Sequence, residues 1–165
     1  MPIYMGIFEK PNVLDKKFKG DVKAKEYEGW VELQSAQVGR SRRIASATGR
    51  GSDREASAPA IQDIVVTKHN DSASTALFRE ALVGSGKLIV IVFVKGDETA
   101  YLKFVLQDAL IASYSLGGHG ADPSRPVESL SLNFTKMTYE TLPQSPDTTH
   151  SQMYQLSQQR SWDYR

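Results

Sequence analysis

The sequence predicts a mainly β protein: a small β-barrel of antiparallel strands with one flanking α-helix and a long extended loop. Three observations predict it. Most apolar residues fall in short runs where bulky or β-branched side chains interleave with polar ones, the pattern of a half-buried pleated surface. Only one segment, from Ala73 to Leu82, places apolar residues at helical spacing. Between Gly39 and Pro59 the chain turns to Gly, Ser, Ala and Arg and offers little to bury. At 165 residues the chain fits one domain, since a core of this size buries roughly two-thirds of the surface the unfolded form exposes.

Ile3 to Phe8 alternate loosely and predict a first strand, followed by a lysine-rich stretch from Glu9 to Glu28 with a turn at Gly20-Asp21. Trp30 to Gln34 predicts a second strand. From Gly39 to Pro59, Arg40, Arg42, Arg43, Arg50 and Arg54 face only Asp53 and Glu55 as acids. A structureless stretch of about 20 residues is uncommon inside a compact domain and usually functional, which predicts a protruding arm that orders against a partner. Ile61, Ile64, Val65 and Val66 then lead to the helix. Asp71 or Ser72 is placed to accept from the free amides of its first turn, and Gly84 to close it in a left-handed conformation. Ala73, Leu77 and Ala81 share the face expected to seal the sheet, with Phe78 and Leu82 beside them.

Lys87 to Lys95 and Thr99 to Leu106 predict a hairpin turning at Gly96-Asp97-Glu98, and Leu110 to Leu116 and Val127 to Leu142 predict two more strands. In the last of these Leu130, Leu132 and Phe134 hold one parity while Met137 and Tyr139 hold the other. A β-bulge near Thr135-Lys136 restores a single buried face where a strand bends round a barrel corner. Pro143 and Pro146 end the regular part. The barrel domain is therefore expected over residues 1–145, followed by a polar tail, 146–165, whose aromatics Tyr154, Trp162 and Tyr164 are expected to order only on assembly.

Composition removes several chemistries. Lys plus Arg number 20 and Asp plus Glu 19, so no general field draws phosphate backbones or acidic membranes, and neither nucleic acid nor membrane insertion is expected. The absence of cysteine removes disulfides, thiolate nucleophiles and thiolate metal sites. The longest apolar run, Leu88 to Val94, is far short of the ~20 residues that cross a bilayer as a helix. Met1 to Glu9 lacks the basic region and the apolar length of a secretory signal. His69, His119 and His150 lie in separate segments without the spacing of a helical zinc site, so no metal is expected. Gly84-Ser85-Gly86-Lys87 follows a helix and enters a strand, the reverse of a phosphate loop. No serine sits in a Gly-x-Ser-x-Gly elbow. The reading is a protein that is not an enzyme, with no catalytic residue and no cofactor.

Three segments, in order, carry a family resemblance. Ile64-Val65-Val66-Thr67-Lys68, then Asp71-Ser72 and a short helix through Leu77 and Ala81 to Gly84, resembles a stretch of the haemolysin-coregulated (Hcp) family. There a threonine-lysine pair ends a strand and an Asp-Ser segment opens the helix. Leu106 to Ser113 resembles the family's following strand, and Glu128 to Lys136 with Tyr139 is similar to its closing strand, in which an acidic residue precedes Leu-x-Phe-x-Lys and a tyrosine. The resemblance runs over roughly residues 1–142. The chain departs from the family at Gly20-Asp21-Val22, where many members carry Gly-Glu-Ser, and in its tail.

The resemblance implies a type VI secretion system tube subunit: hexameric rings stacked inside a contractile sheath on a baseplate, with a spike protein at the tip. It implies export from the bacterial cytoplasm without a cleaved signal peptide, with effector proteins carried in the lumen. Arg40, Arg42, Arg43, Arg50, Asp53, Arg54 and Glu55 then belong to a ring-stacking loop, and Gln37 is expected to face the lumen. Two other classes compete: a monomeric β-barrel adaptor that presents the arginine-rich arm, and a secreted hydrolase with a divergent site.

Overall fold

A computed structural model describes residues 1–41, 44–46, 54–56, 60–96, 98–121, 123–142 and 150–155. In chain order the strands are β1 (Ile3–Lys10), β2 (Val13–Leu14), β3 (Val31–Leu33), β4 (Ser35–Gln37), β5 (Arg40–Ser41), β6 (Ile44–Ser46), β7 (Arg54–Ala56), β8 (Ala60–Ile61), β9 (Ile64–His69), β10 (Lys87–Val94), β11 (Ala100–Gly117), β12 (Val127–Asn133), β13 (Lys136–Thr141) and β14 (His150–Gln155). Among the described residues one α-helix, α1 (Ser74–Val83), joins β9 to β10.

The main sheet is antiparallel and runs β1, β10, β11, β12, β9, β4. Gln34 separates β3 from β4, yet these two neighbours pair with opposite ends of the sheet, Val31 with Met5 and Ser35 with Thr67. The sheet is thereby curled until its ends meet along one stretch of chain. The ladder breaks there, because β3 and β4 share no pairing and Gln34 N–H donates instead to the Thr67 carbonyl at 2.8 Å. The fold is a barrel left open along this seam.

Inward parity fills the barrel with Met5, Ile64, Val66, Ile91, Leu106, Leu130 and Leu132, and Leu77 of α1 and Ala73 just before it are buried in the same core. Strand β10 is buried on both faces, which explains its unbroken apolar run. Its outward Val90, Val92 and Val94 lie under Val22 and Tyr27 in a second cluster, with Trp30 packed against it.

Strand β11 is one strand where the sequence suggested two, and it carries the barrel's corner. Its first half pairs with β13 up to Gln107↔Lys136, and its second half with β12 from Leu110↔Asn133. Against β10, Lys87 pairs with Ala109 and Ile89 with Leu106, so two residues of β11 oppose one: the bulge is here, across the ladder from the expected Thr135-Lys136. Asp108 takes a left-handed φ of 48°, and Thr135 braces the bend, donating N–H to the Gln107 carbonyl (3.2 Å) and Oγ1–H to Asp108 Oδ2 (3.0 Å). The face switch itself is as the parity implied. Leu130, Leu132, Phe134 and Met137 are all buried, and Tyr139 stacks on Phe104 at 5.0 Å.

Four local expectations change. Gly84 is extended (φ −72°, ψ 159°) and not left-handed, because Glu80 Oε1 takes the Ser85 N–H at 3.1 Å. Ala73, with no side-chain bond, holds the N-cap position; Asp71 still serves the entry by accepting the Ala73 N–H at 3.0 Å. The arm pairs with itself, β5 with β8 and β6 with β7. Beyond residue 145, β14 pairs along the whole of β13, from His150↔Thr141 to Gln155↔Lys136, so part of the tail extends the sheet.

Candidate functional site: an uncharged sheet face backed by a buried ionic latch

Along β9 and β12 the inward Ile64, Val66, Leu130 and Leu132 alternate with outward Val65, Thr67, Ser129 and Ser131. On β11 a bulge at Ala112, between Ile111↔Leu132 and Ser113↔Ser131, flips the parity. Ser113 and Ser115 therefore face outward, while Tyr114 turns in to meet Phe78 at 5.4 Å. The register then lines up two rows across four strands, Ser115–Ser129–Thr67–Ser35 and Ser113–Ser131–Val65–Gln37. Neither row carries a charge, and Ser35 Oγ meets Thr67 Oγ1 at 2.6 Å. Gln37 closes the second row and is exposed. Sequence reasoning picked out Gln37 and missed its row; the signal was serine at alternate positions, 113 and 115, 129 and 131.

The arm leaves this face just beyond Gln37, where Gln62 N–H donates to the Gly39 carbonyl at 3.1 Å. Arg40 pairs by backbone with Ile61, Arg54 with Ser46 and Glu55 with Ala45. Arg42, Arg43, Arg50 and Asp53 lie outside the described residues.

Directly behind the Thr67–Ser129 row, Lys68 and Glu128 hold inward positions and are fully buried. Lys68 Nζ donates to Glu128 Oε2 (2.9 Å), Ser74 Oγ (3.0 Å) and the His69 carbonyl (2.8 Å), and meets Asp71 Oδ1 at 2.9 Å. Glu128 Oε1 accepts from Asn70 Nδ2 at 2.6 Å, and Asp71 N–H donates to Ser74 Oγ at 2.9 Å. Buried charges persist only when paired and hydrogen-bonded, and here residues 68–74 satisfy that condition by tying the start of α1 to β12. Among the described residues no buried side-chain nitrogen or oxygen is left without a partner.

Burial pushes the Glu128 carboxyl up, but hydrogen bonds from Ser74, Lys68 and Asn70 and the ammonium charge outweigh it and hold the group below the usual carboxylate range. Burial, then the Glu128 charge and a hydrogen bond to it, push the Tyr114 hydroxyl up to about 12. A depressed native pKa contributes stability that is present above the unfolded value and lost as pH falls through the native one. The stability gap between wild type and Glu128→Gln is therefore expected to be widest near pH 7 and to narrow below the ordinary glutamate value of about 4.3. Urea midpoints across pH 7 to 3 check this, and a constant gap would remove the assignment.

Beside the latch a cleft of about 280 Å³ is lined by Asp21, Glu32, Gln34, His69, Asn70, Asp71 and Arg125, among others. His69 Nε2 lies 2.6 Å from Gln34 Nε2 and its Nδ1 3.2 Å from the Arg125 carbonyl, so both ring nitrogens are engaged and neither is a ready general base. Ser72 Oγ–H donates to Asp21 Oδ1 at 2.5 Å, so the Gly20-Asp21-Val22 turn is fastened to the helix entry.

A family model described as "Type VI secretion system effector, Hcp" matches residues 6–140. The chain belongs to the Hcp family. The Hcp-like pieces Thr67-Lys68, Asp71-Ser72 and Glu128 are the ones that converge on the latch and its docked turn. The fold is similar to that of a structure described as a type six secretion system protein, with TM-score 0.78, 18% identity, and 94% of this chain covered against 95% of that one. It is also similar to Hcp1 from Salmonella typhimurium, with TM-score 0.72, 18% identity and 94% of each chain covered. A type VI secretion system effector from Yersinia pestis gives TM-score 0.70 and 18% identity, over 93% of this chain and 98% of that one. No curated protein matches the sequence. The family match stops short of β14, which makes that strand an addition beyond the matched part of this Hcp chain.

Proposed function

We propose that this chain is a structural subunit of the type VI secretion tube, forming hexameric rings that stack, leave the cell and can carry effectors in their lumen. The observation that carries the reading is the uncharged face of Ser115–Ser129–Thr67–Ser35 and Ser113–Ser131–Val65–Gln37 on a barrel filled by its own side chains. A filled interior leaves the outer faces to do the work. A face of small polar groups without charge offers a passing protein no ion pair to hold it, which suits the wall of a channel.

Six copies turned the same way bring six such faces round one axis through head-to-tail contacts that close. The domain of residues 1–145 forms the wall element and the tail, 146–165, adds a strand at its edge. The arm, with Arg40, Arg42, Arg43, Arg50, Asp53, Arg54 and Glu55, is the contact to a stacked ring; exposed ion pairs contribute about 0–1 kcal/mol each, so register comes from their repetition. Sheath, spike, baseplate and effectors are the partners, the route starts in the bacterial cytoplasm without a cleaved signal, and no reaction is assigned.

Size exclusion with light scattering, together with electron microscopy of the purified protein, tests the reading. Six-fold rings with an open centre are expected; a monomer over a wide concentration range would overturn it and favour the adaptor. In the same preparation Gln37→Arg is expected to leave rings intact and weaken effector retention. Unchanged retention would take Gln37 out of the lumen wall.

A further inference from the structure

At the seam of the barrel Gln34 bonds to β9 twice. Its backbone N–H donates to the Thr67 carbonyl at 2.8 Å, and its side-chain nitrogen lies 2.6 Å from His69 Nε2. The other ring nitrogen of His69, Nδ1, lies 3.2 Å from the Arg125 carbonyl, and a carbonyl oxygen only accepts. Nδ1 therefore carries the hydrogen, Nε2 of the neutral ring keeps a lone pair, and the Gln34 amide donates to it. A second proton on the ring goes to Nε2, where it meets the hydrogens of the Gln34 amide head on. The contact fits the neutral ring and not the charged one.

The surroundings decide where a charged ring turns. Asp21 from the turn before β3, Glu32 from β3 and Asp71 from the helix entry line the cleft that His69 lines, and Arg125, between β11 and β12, is the cation facing them. Lys68, on the strand of His69 itself, is buried and spent on Glu128 and Asp71. An Nε2–H that leaves Gln34 thus has anionic acceptors in the cleft, and charge-assisted bonds are the stronger kind. We propose that His69 and Gln34 form a proton-sensitive clasp on the seam, closed over the neutral imidazole and released when Nε2 takes a proton. The closed seam binds fewer protons than the open one, so it is favoured at higher pH and lost as pH falls. A histidine ring changes charge between about pH 8 and pH 5, which sets the window. His69 also stands one outward position beyond Thr67, so the same proton places a positive charge beside the uncharged rows. The inference does not depend on ring formation.

Hydrogen exchange of the Gln34 backbone amide at about pH 7.5 and about pH 5.5 tests the clasp, each rate divided by that of an unstructured chain at the same pH. In the wild type this protection is expected to fall by roughly three-fold or more at the lower pH. His69→Gln keeps a hydrogen-bonding side chain and removes the titration, so equal protection at both values is expected there. In Gln34→Glu the carboxylate accepts from a protonated ring, and the pH dependence is expected to reverse. Equal protection at both values in the wild type overturns the proposal, since it means that the Gln34 amide turns over and presents its oxygen to Nε2–H. A fall that persists in His69→Gln, or a wild-type trend in Gln34→Glu, also overturns it and assigns the effect to another group. Wild type and Gln34→Glu decide the matter between them if His69→Gln does not fold.

Discussion

Lys68→Met is expected to destabilise the fold by about 3–5 kcal/mol, the cost of breaking a buried ion pair by removing one partner. The ammonium is fully buried and touches Glu128, Asp71, Ser74 and the His69 carbonyl within 3.0 Å. Its removal leaves Glu128 buried with only neutral partners and releases the segment that opens α1. For a chain of this length each kcal/mol moves Tm by roughly 2–4 °C, so a fall on the order of 6–20 °C is expected in a thermal scan. The double variant Lys68→Met with Glu128→Leu is expected to recover part of the loss, because it removes the stranded carboxylate, although Asn70 and Asp71 still lose partners. A single-variant loss under about 1 kcal/mol would mean that water solvates the ammonium in place and that the latch is not dry.

That latch also shows where sequence reading stops. Lys68 and Glu128 are charged residues in strands and invite a solvated reading, yet Ile64, Val66 and Lys68 share one parity, as do Glu128, Leu130 and Leu132. The signal was present, but 60 residues separate the two positions and only the β9–β12 register joins them. Strands with strict alternation, the helix and the face switch after Phe134 were legible because each is a local periodicity. The location of the bulge was not, since a parity offset on β12 and β13 does not say which side of the ladder carries the extra residue. The helix stripe was read too wide: spacing placed Phe78 and Leu82 near the sealing face, but what covers a stripe's edge is decided by neighbours that spacing does not report. Self-pairing of the arm escaped notice because Gly, Ser and Ala have low strand preference. The family came from the order of three motifs, and composition contributed only exclusions.

Gly20→Ala is expected to be the most damaging single-methyl change in the N-terminal quarter, at about 3 kcal/mol, the upper end of what overpacking costs. The added carbon would collide with the Trp30 carbonyl oxygen and lie 2.8 Å from Val31 Cα, and both obstacles are backbone. Gly20 N–H donates to the Gly29 carbonyl at 2.8 Å, and the Trp30 carbonyl accepts from Val22 N–H at 3.2 Å, so a retreating strand loses both bonds. Residues 22–30 would then lift from Val90, Val92 and Val94, and the second core would open. Gly6→Ala supplies the contrast. Its methyl meets the rings of Phe8 at 2.8 Å and Trp30 at 2.9 Å, which are side chains that can turn aside. A smaller loss, roughly 1 kcal/mol, is expected there, together with a red shift in the Trp30 emission as the indole is pushed toward water. Urea unfolding of the two variants, with Trp162→Phe in both so that Trp30 reports alone, ranks them. If Gly6→Ala proves the more costly, the indole seated on β1, and not the backbone contact at Gly20, is what holds this second core in place.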